Sequence, residues 1–355
     1  MKAIVFSEHG GPEVLRYTEV PEPQIGAPDV PDVNDVPYMN DVLVRVRACA
    51  LNHLDLFVRA GMPGVKIPLP RIPGSDISGE VAKVGANVSH VKVGERVLLS
   101  PGISCGHCPH CLAGNDSMCR DYTLFGYMVD GGYAEYVRSP SVNVIPIPPG
   151  LSFEEAAAIP LVFLTAWHML ITRANLKPSE DVLILGAGSG VGSAAIQIAK
   201  VTGARVIATA GSEEKLAKAK ELGAHDVIQH SKQDIAAEVK RLTNRRGVDV
   251  VFEHVGQVTW EHSIRSLAVG GRLVTCGATT GYEGKIDLRY LFTRQLSILG
   301  SFMGSKAELY SVLELVRRGL LKPVIDTVIP LEQAREAHER LEHREQFGKI
   351  VLRIP

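Results

Sequence analysis

The sequence lacks a surplus of either charge, because 38 Lys and Arg residues are matched by 39 Asp and Glu residues. Such a chain has no overall field that attracts nucleic acid or anionic lipid. It also lacks a long apolar run: the most apolar stretch, residues 156–171, contains Pro160, Trp167 and His168, whereas a membrane span needs about 20 apolar residues. We therefore expect no nucleic-acid partner and no membrane span, and small-molecule chemistry is favoured.

The N-terminal residues, MKAIVFSEHGG, contain one Lys and then an apolar stretch that is too short for a signal peptide. Export is not expected, so the six cysteines are expected in a reducing compartment. Closely spaced cysteines indicate a metal site there more often than disulfides. A cytoplasmic location is the corresponding prediction.

A length of 355 residues is typical of about two domains. Residues 1–150 contain short apolar runs punctuated by Gly and Pro, which indicates a β-rich domain. From Ser152 onward, helical stretches alternate with short β-branched runs, and this order predicts an α/β domain with a doubly wound parallel sheet. The expected strands cover residues 182–185, 205–208, 226–228, 248–252, 272–276 and 296–299.

Residues 24–40 fit neither pattern, because Pro, Val and Asp repeat through them. The spacing of the prolines prevents regular strand pairing, which predicts an extended surface loop. A cation site at Asp29, Asp32 and Asp35 is conceivable, but an oxygen cage needs six or more ligands. We assign the loop no function.

Four cysteines, Cys105, Cys108, Cys111 and Cys119, have the spacing C-x2-C-x2-C-x7-C. A tetrahedral Zn²⁺ satisfies four thiolates, and four protein ligands leave no open position, so the predicted zinc is structural. His107 and His110 are alternative ligands. An iron–sulfur cluster uses cysteines in a similar way but fits this spacing less well.

A glycine-rich turn over residues 186–192 follows an apolar strand and precedes an amphipathic helix, in VLILGAGSGVGSAAIQIAK. Glycines let the backbone turn sharply and let a phosphate approach the helix N-terminus. A second strand follows about 15 residues later, so the pattern predicts a dinucleotide site.

The end of that second strand has no acidic residue to bind the ribose hydroxyls of NAD. It reads Thr209, Ala210, Gly211 and Ser212, with Lys215 one helical turn later. A neutral pocket with a hydroxyl and a cation suits a 2′-phosphate, which favours NADP(H) over NAD(H). Ser212 can also act simply as the cap of the helix that starts at Glu213.

Together these segments resemble the medium-chain dehydrogenase/reductase superfamily over nearly the whole chain. The similar pieces are the GGPEVL opening, the four-cysteine lobe, GGYAEYV, AAAIPLVFLTAWHML, the GAGSGVG turn and the final GKIVLRI. The resemblance implies a GroES-like β-barrel in residues 1–152, completed by about 303–355, and a Rossmann domain in residues 153–302, with the cofactor in a cleft between them. It also implies a homodimer or homotetramer that assembles through residues 294–301.

The same resemblance bears on the catalytic metal. Zinc alcohol dehydrogenases have a second zinc, and its three ligand positions read Asn52, Ser75 and Leu161 in this sequence. None of these supplies a Cys or His ligand, and a catalytic zinc needs about three protein ligands. The NHLDLFVRAG segment is instead similar to the quinone oxidoreductase branch, which works without catalytic zinc but generally lacks the four-cysteine lobe.

The resemblance also implies roles for individual residues. Asn52 and Thr165 are expected beside the nicotinamide, and His53 is either a donor to the substrate oxygen or part of the pocket wall. Asp55 and Arg59 are expected to hold their loop in place. The remaining positions are expected to contact the cofactor: Gly190, Val191 and Gly192 at the pyrophosphate, and Val255, Gly277 and Ala278 along its cleft.

The predicted function is an NADPH-dependent reductase that transfers hydride to a quinone or an α,β-unsaturated carbonyl compound. Without a Lewis acid, hydride transfer is easiest to an acceptor that is already electron-poor. Two alternatives stay open at this point: an alcohol dehydrogenase, and a protein that binds NADPH for a structural or regulatory purpose without turnover.

Overall fold

The computed structural model describes residues 1–25 and 40–355. The surface loop predicted for residues 24–40, with the conceivable cation site at Asp29, Asp32 and Asp35, therefore lies almost entirely outside the described residues. Its function stays unassigned.

The strands of the described residues include all those predicted from the β-branched runs, and the strand predicted for 272–276 begins five residues earlier than expected. In chain order they are β1 (Lys2–Val5), β2 (Arg16–Glu19), β3 (Asp41–Ala50), β4 (Asp76–Val84), β5 (Arg96–Leu99), β6 (Gly102–Ile103), β7 (Thr123–Leu124), β8 (Tyr136–Pro140), β9 (Val144–Pro146), β10 (Asp181–Ile184), β11 (Arg205–Ala210), β12 (Asp226–Gln229), β13 (Val248–Glu253), β14 (Leu267–Thr275), β15 (Ser297–Gly300), β16 (Ile325–Pro330) and β17 (Lys349–Arg353).

The helices are α1 (His53–Ala60), α2 (Pro109–Leu112), α3 (Phe153–Ala157), α4 (Pro160–Trp167), α5 (Gly190–Thr202), α6 (Glu213–Leu222), α7 (Ile235–Leu242), α8 (Trp260–Ser266), α9 (Leu288–Thr293), α10 (Lys306–Arg317) and α11 (Ala334–Glu342). A π-helical segment, His168–Arg173, follows α4. In the described part of the chain, no helix is long and apolar enough to cross a membrane.

The chain divides into two compact units. The first unit comprises Met1–Leu161, Ser305–Leu313 and Pro323–Pro355, and the second comprises Val162–Gly304 and Glu314–Lys322.

The first unit is built on a mostly antiparallel sheet in which β16, β17, β3, β4, β5 and β9 are successive neighbours and β8 also pairs with β3. Ala50 of β3 lies opposite Asp76 of β4 and opposite Val351 of β17. Side chains of successive residues alternate across a sheet. The register therefore brings the ends of β4, β3 and β17 together, and with them the polar residues described below.

The second unit contains a six-stranded parallel sheet in the order β12-β11-β10-β13-β14-β15. Numbered within the unit, this is the 3-2-1-4-5-6 order of a doubly wound fold, whose ligands bind at the carboxyl ends of the strands where the order reverses. That reversal lies between β10 and β13, which pair in parallel from Val182 and Val250 onward. The predicted doubly wound parallel sheet is confirmed.

A chain of hydrogen bonds links α1 to α11 inside the first unit. Arg59 Nη1 lies 3.0 Å from Nδ1 of His338, and a guanidinium only donates, so Nδ1 accepts. The ring hydrogen on Nε2 then faces the Tyr133 oxygen at 3.3 Å, and the Tyr133 hydroxyl donates to Asp55 Oδ2 at 3.5 Å. Arg59 also donates to Glu342. These contacts agree with the expectation that Asp55 and Arg59 hold their segment in place.

Two members of this chain have perturbed pKa values in opposite senses. Burial, assisted by the charge of Arg59, lowers the pKa of His338 to about 3. Burial raises the pKa of Asp55 to about 6, against the stabilising N–H groups of Asn52 and Gly74. Protonation of Asp55 therefore favours the folded state on acidification, whereas protonation of His338 favours the unfolded state.

We expect His338 to contribute to loss of stability in acid. Below the ordinary histidine pKa of about 6.5, the unfolded chain binds a proton that the folded chain does not, so between pH 7 and pH 5 this residue should cost about 2 kcal/mol of unfolding free energy. In His338→Gln the amide can replace both ring hydrogen bonds but cannot titrate. Urea unfolding at the two pH values should show a smaller loss of unfolding free energy for the variant than for the wild type. Asp55 is present in both proteins, so its own titration does not produce this difference. His343→Gln, at an exposed histidine next to α11, is the control, and an equal loss in wild type and His338→Gln would contradict the assignment.

Candidate functional site

The four predicted zinc ligands come together in the first unit. The sulfur atoms of Cys105, Cys108, Cys111 and Cys119 all lie within 4.8 Å of one another. Cys111 Sγ is 3.5 Å from Cys108 Sγ and 3.8 Å from Cys105 Sγ, and a tetrahedral zinc with bonds of about 2.3 Å separates its sulfurs by about 3.8 Å. The arrangement fits one tetrahedral metal.

The surroundings of these thiols also suit a metal. The backbone N–H of His107 is the main reason that the pKa of Cys105 is lowered to about 6, whereas burial raises the pKa of Cys119 to about 12. A bound cation pairs with the thiolate charge and removes the cost of burying it. The His107 ring contacts the Cys105 carbonyl oxygen, and neither His107 nor His110 belongs to the cysteine group.

The cysteine lobe is tied to the rest of the first unit by Asp116. Its carboxylate accepts the backbone N–H of Lys306 at 3.0 Å and the Lys306 ammonium at 2.8 Å. The same ammonium lies 3.3 Å from Ser104 Oγ, next to Cys105. Lys306 is the first residue of α10, so the cysteine lobe is fixed to the start of this helix.

A second polar cluster lies at the ends of β3, β4 and β17. Lys349 Nζ donates to Leu51 O at 2.6 Å, Asn52 Oδ1 at 2.7 Å and Asp76 Oδ2 at 2.8 Å. Asn52 Nδ2 donates to the same Asp76 oxygen at 3.0 Å. All three charged or amide side chains are buried. Lys349 was missed by sequence analysis, which used GKIVLRI only as a piece of the family resemblance.

The three positions that the resemblance assigns to a second metal lie at this cluster or next to it in the chain. Asn52 is held as described, Ser75 Oγ donates to Phe125 O at 2.6 Å, and the backbone N–H of Leu161 donates to Asp76 Oδ1 at 2.7 Å. In residues 1–25 and 40–355, the four cysteines are the only group of three or more Cys, His, Asp or Glu side chains placed to share a metal. The neighbouring His53, at the start of α1, is half-buried and faces the Phe57 ring.

In the second unit, the predicted glycine turn joins β10 to α5. Gly186 has a φ of +59°, and a Cβ on Gly192 would lie 2.4 Å from Gly186 O, so both positions need glycine. Ser189 caps α5 by accepting from Gly192 N at 2.9 Å. Gly190, Val191 and Gly192 therefore form the first turn of the helix, where backbone N–H groups can meet an anion.

The end of β11 lies one strand away from this turn. Ser212 accepts from the backbone N–H of Lys215, which confirms its predicted role as the cap of α6. The structure adds His230, whose Nδ1 is 3.3 Å from Thr209 Oγ1 and whose Nε2 would lie 3.4 Å from a Cβ on Gly211. His230 follows β12, which is the neighbour of β11. Parallel strands end at the same edge of a sheet, and this rule could have predicted His230 from the sequence.

The remaining predicted positions lie at the ends of β13 and β14. Gly277 and Ala278 line a cavity of about 430 Å³ with Gly256, Gln257, Trp260 and other residues. Val255 belongs to a loop held by Glu253, a fully buried carboxylate that accepts from Val255 N at 2.7 Å and Gly256 N at 3.1 Å. Thr165 is buried, and its hydroxyl lies 3.8 Å from the Met303 sulfur.

Comparison with known proteins places these two units in a family. Residues 38–149 match the Alcohol dehydrogenase GroES-like domain, and residues 190–318 match Zinc-binding dehydrogenase. The quinone oxidoreductase of Homo sapiens is 33% identical over an alignment of 359 positions, which covers 99% of this chain and 97% of that protein. The alcohol dehydrogenase of Geobacillus stearothermophilus is 36% identical over 357 residues, covering 100% of both chains.

A solved structure described as an NAD-dependent alcohol dehydrogenase is 48% identical, with a TM-score of 0.93 and full coverage of both chains. These relatives confirm the predicted GroES-like and Rossmann domains, and they differ among themselves in the substrates that their names state. Family domains and whole-length relatives agree on the broader assignment: the chain belongs to the medium-chain dehydrogenase/reductase superfamily and is an oxidoreductase.

Proposed function

We propose that this enzyme reduces a quinone or an α,β-unsaturated carbonyl compound with NADPH and has no catalytic zinc. The observation that supports this proposal is the bonding of Asn52, Ser75 and Leu161, which stand where the resemblance to zinc alcohol dehydrogenases places metal ligands. Their polar atoms are engaged with Lys349, Asp76 and Phe125 O. A carbonyl substrate therefore meets no Lewis acid at these positions.

NADPH, when bound, supplies the hydride. An electron-poor carbon accepts it, the electrons of the attacked double bond move to the carbonyl oxygen, and a proton from water completes the reduced product. The chain's part is to hold the substrate and stabilise that oxygen by hydrogen bonding. We propose His53 for this role, because its half-buried ring lies at the start of α1, next to Asn52, and an imidazole ring carries an N–H group that can donate to an oxygen.

Alcohol dehydrogenase activity is the second candidate. It is favoured by the relative from Geobacillus stearothermophilus and by the solved structure at 48% identity, both of which are described as alcohol dehydrogenases. Alcohol oxidation without a metal requires another group to lower the pKa of the hydroxyl. The two candidates are therefore separated by which substrates react and by whether a chelator matters.

We expect the enzyme to reduce quinones or enones at least about tenfold faster than it oxidises ethanol or benzyl alcohol, because an alcohol needs a Lewis acid to lower the pKa of its hydroxyl. A tenfold ratio corresponds to a difference of about 1.4 kcal/mol in the activation barrier. Absorbance of the nicotinamide follows both directions with the same preparation. Chelator-insensitive reduction is the expected companion result. Robust alcohol oxidation that a chelator abolishes would overturn the proposal.

We propose further that the four-cysteine group holds a structural zinc. Its four thiolate ligands fill a tetrahedral shell and leave no position for substrate. The metal would join the short elements of the lobe, namely β6, α2 and the turn Asp116–Met118, which have few buried apolar residues of their own.

Elemental analysis of the purified enzyme should find about one zinc per chain. Cys111→Ser should lose most of this zinc and melt at a lower temperature, because a structural metal contributes folding energy directly. Cys276→Ser, a substitution outside the lobe, should keep the metal. Close to two zincs per chain, or unchanged zinc and melting in Cys111→Ser, would contradict this assignment.

We propose that NADP(H) is preferred over NAD(H), although the solved structure at 48% identity is described as NAD-dependent. The support is the absence of an acid at the end of β11, where Ala210 stands, together with Ser212, Lys215 and His230 nearby. The Ser212 oxygen accepts from Lys215 N and still has its own hydrogen to donate. The acids Glu213 and Glu214 open α6, but they pair with Lys232 and Lys218.

Charge-assisted hydrogen bonds to a 2′-phosphate contribute about 1.5 to 3 kcal/mol, which predicts roughly a tenfold to hundredfold preference for NADPH. Fluorescence titration of both cofactors measures it. Lys215→Ala and His230→Ala should each reduce the preference, whereas Lys220→Ala, an exposed lysine at the other end of α6, should not. Equal affinity of the wild type for both cofactors would refute the preference.

A homodimer or homotetramer and a cytoplasmic location stay predictions. The strand β15 ends the order of the parallel sheet, and exposed apolar side chains, including Phe292, Ile298 and Phe302, lie on or near it. A strand that ends a sheet in this way suits pairing with a second copy. Light scattering gives the mass that tests this assembly.

A further inference from the structure

His254 is a polar residue at the sheet position where ligands bind, and no role has been given to it so far. It follows β13, the parallel neighbour of β10. The chain leaves β10 into the glycine turn, so the side chain of His254 lies where the strand order reverses. The sequence analysis predicted a strand over residues 248–252 and did not single out this residue.

The ring of His254 is held against the glycine turn by specific contacts. Nε2 lies 2.8 Å from Leu185 O and 3.5 Å from Ser189 Oγ. A carbonyl oxygen only accepts, so Nε2 carries the ring hydrogen. The ring meets the fully buried Phe252 edge to face, with centroids 5.9 Å apart and an interplanar angle of 66°. Its orientation is therefore fixed from the core side.

The same ring occupies the space beside Gly186. A Cβ at Gly186 would lie 3.0 Å from His254 Cε1 and 3.1 Å from Nε2. On its other side, the Gly186 N–H donates to Thr209 Oγ1 at 3.3 Å, and Gly186 O accepts from Ser189 Oγ at 2.8 Å. The turn is thus supported by Thr209, Ser189 and His254, and of these only His254 contacts the residue before the turn as well as the cap of α5.

We propose that His254 is a positioning residue for the pyrophosphate of the dinucleotide. By holding Leu185 O and the Ser189 hydroxyl, it keeps the turn and the first N–H groups of α5 in the arrangement that receives a phosphate. This inference rests on the proposed binding of a dinucleotide at the turn. It predicts an effect on the phosphate nearest the turn and none on a phosphate bound at the end of β11.

Two adenosine nucleotides distinguish an effect at the glycine turn from an effect at the end of β11. Adenosine 2′,5′-bisphosphate has a phosphate for each region, whereas adenosine 2′-monophosphate has only the one expected near Ser212 and Lys215. His254→Leu should weaken NADPH and the bisphosphate by about tenfold, the equivalent of one lost hydrogen bond, and leave the monophosphate unchanged. The kcat at saturating NADPH should stay near the wild-type value while KM for NADPH rises.

His254→Gln tests whether the N–H group is responsible, because its side-chain amide can donate to Leu185 O. We expect it to recover most of the affinity that His254→Leu loses. His225→Leu is the matched control. His225 accepts from the backbone N–H of Val206 at 3.0 Å, near the amino end of β11 and away from the glycine turn. It should lose stability without losing affinity for any nucleotide.

Wild-type affinity for the bisphosphate in His254→Leu would overturn the inference, and so would an equal loss for the monophosphate, which indicates a general disturbance. Absence of nucleotide binding by the wild type would instead refute the proposed function. A wild-type preference for NADH would refute only the NADP(H) proposal, and the same comparison then uses adenosine 5′-monophosphate and adenosine.

Discussion

Each unit contains a buried carboxylate that accepts hydrogen bonds from backbone N–H groups. In both units, the segment that donates these bonds carries proposed functional residues. In the first unit, Asp55 accepts from Asn52 N at 2.7 Å and Gly74 N at 3.1 Å. In the second, Glu253 accepts from the loop after β13 and from the hydroxyls of Thr259 and Ser263. A buried carboxylate is costly without donors, and a buried N–H is costly without an acceptor. The carboxylate therefore needs these N–H groups, and the N–H groups need the carboxylate. These hydrogen bonds hold the backbone of both segments in place.

Sequence analysis correctly predicted the features whose residues lie close together in the chain. The four cysteines lie within 15 residues, so their spacing alone brings their sulfurs together. The glycine turn is similar, because the strand before it, the turn itself and the cap at Ser189 are consecutive. The alternation of strands and helices likewise predicted the parallel sheet, since each parallel connection needs a crossover.

What sequence reasoning missed comes from contacts that only strand register creates. Lys349 is 297 residues from Asn52, and the two meet because β17 pairs with β3 at Val351 and Ala50. His230 and His254 each follow a strand, which a sequence can suggest, but whether such a ring meets a turn depends on which strands are neighbours. The bonds of His338 to Tyr133 and Arg59 join α11 to residues more than 200 positions earlier. No periodicity encodes such distances.

The position of β17 in the chain also sets an order of events during synthesis. The ribosome completes all six strands of the parallel sheet before it reaches Lys349, so the second unit can fold while β3 still has an open edge. Until β17 emerges, Asp76 has no ammonium beside it and the N–H of Leu51 lacks the Ile350 carbonyl that it meets in the finished fold. An interrupted chain therefore presents an open strand edge and a carboxylate without its counter-ion, and such an edge can pair with another chain.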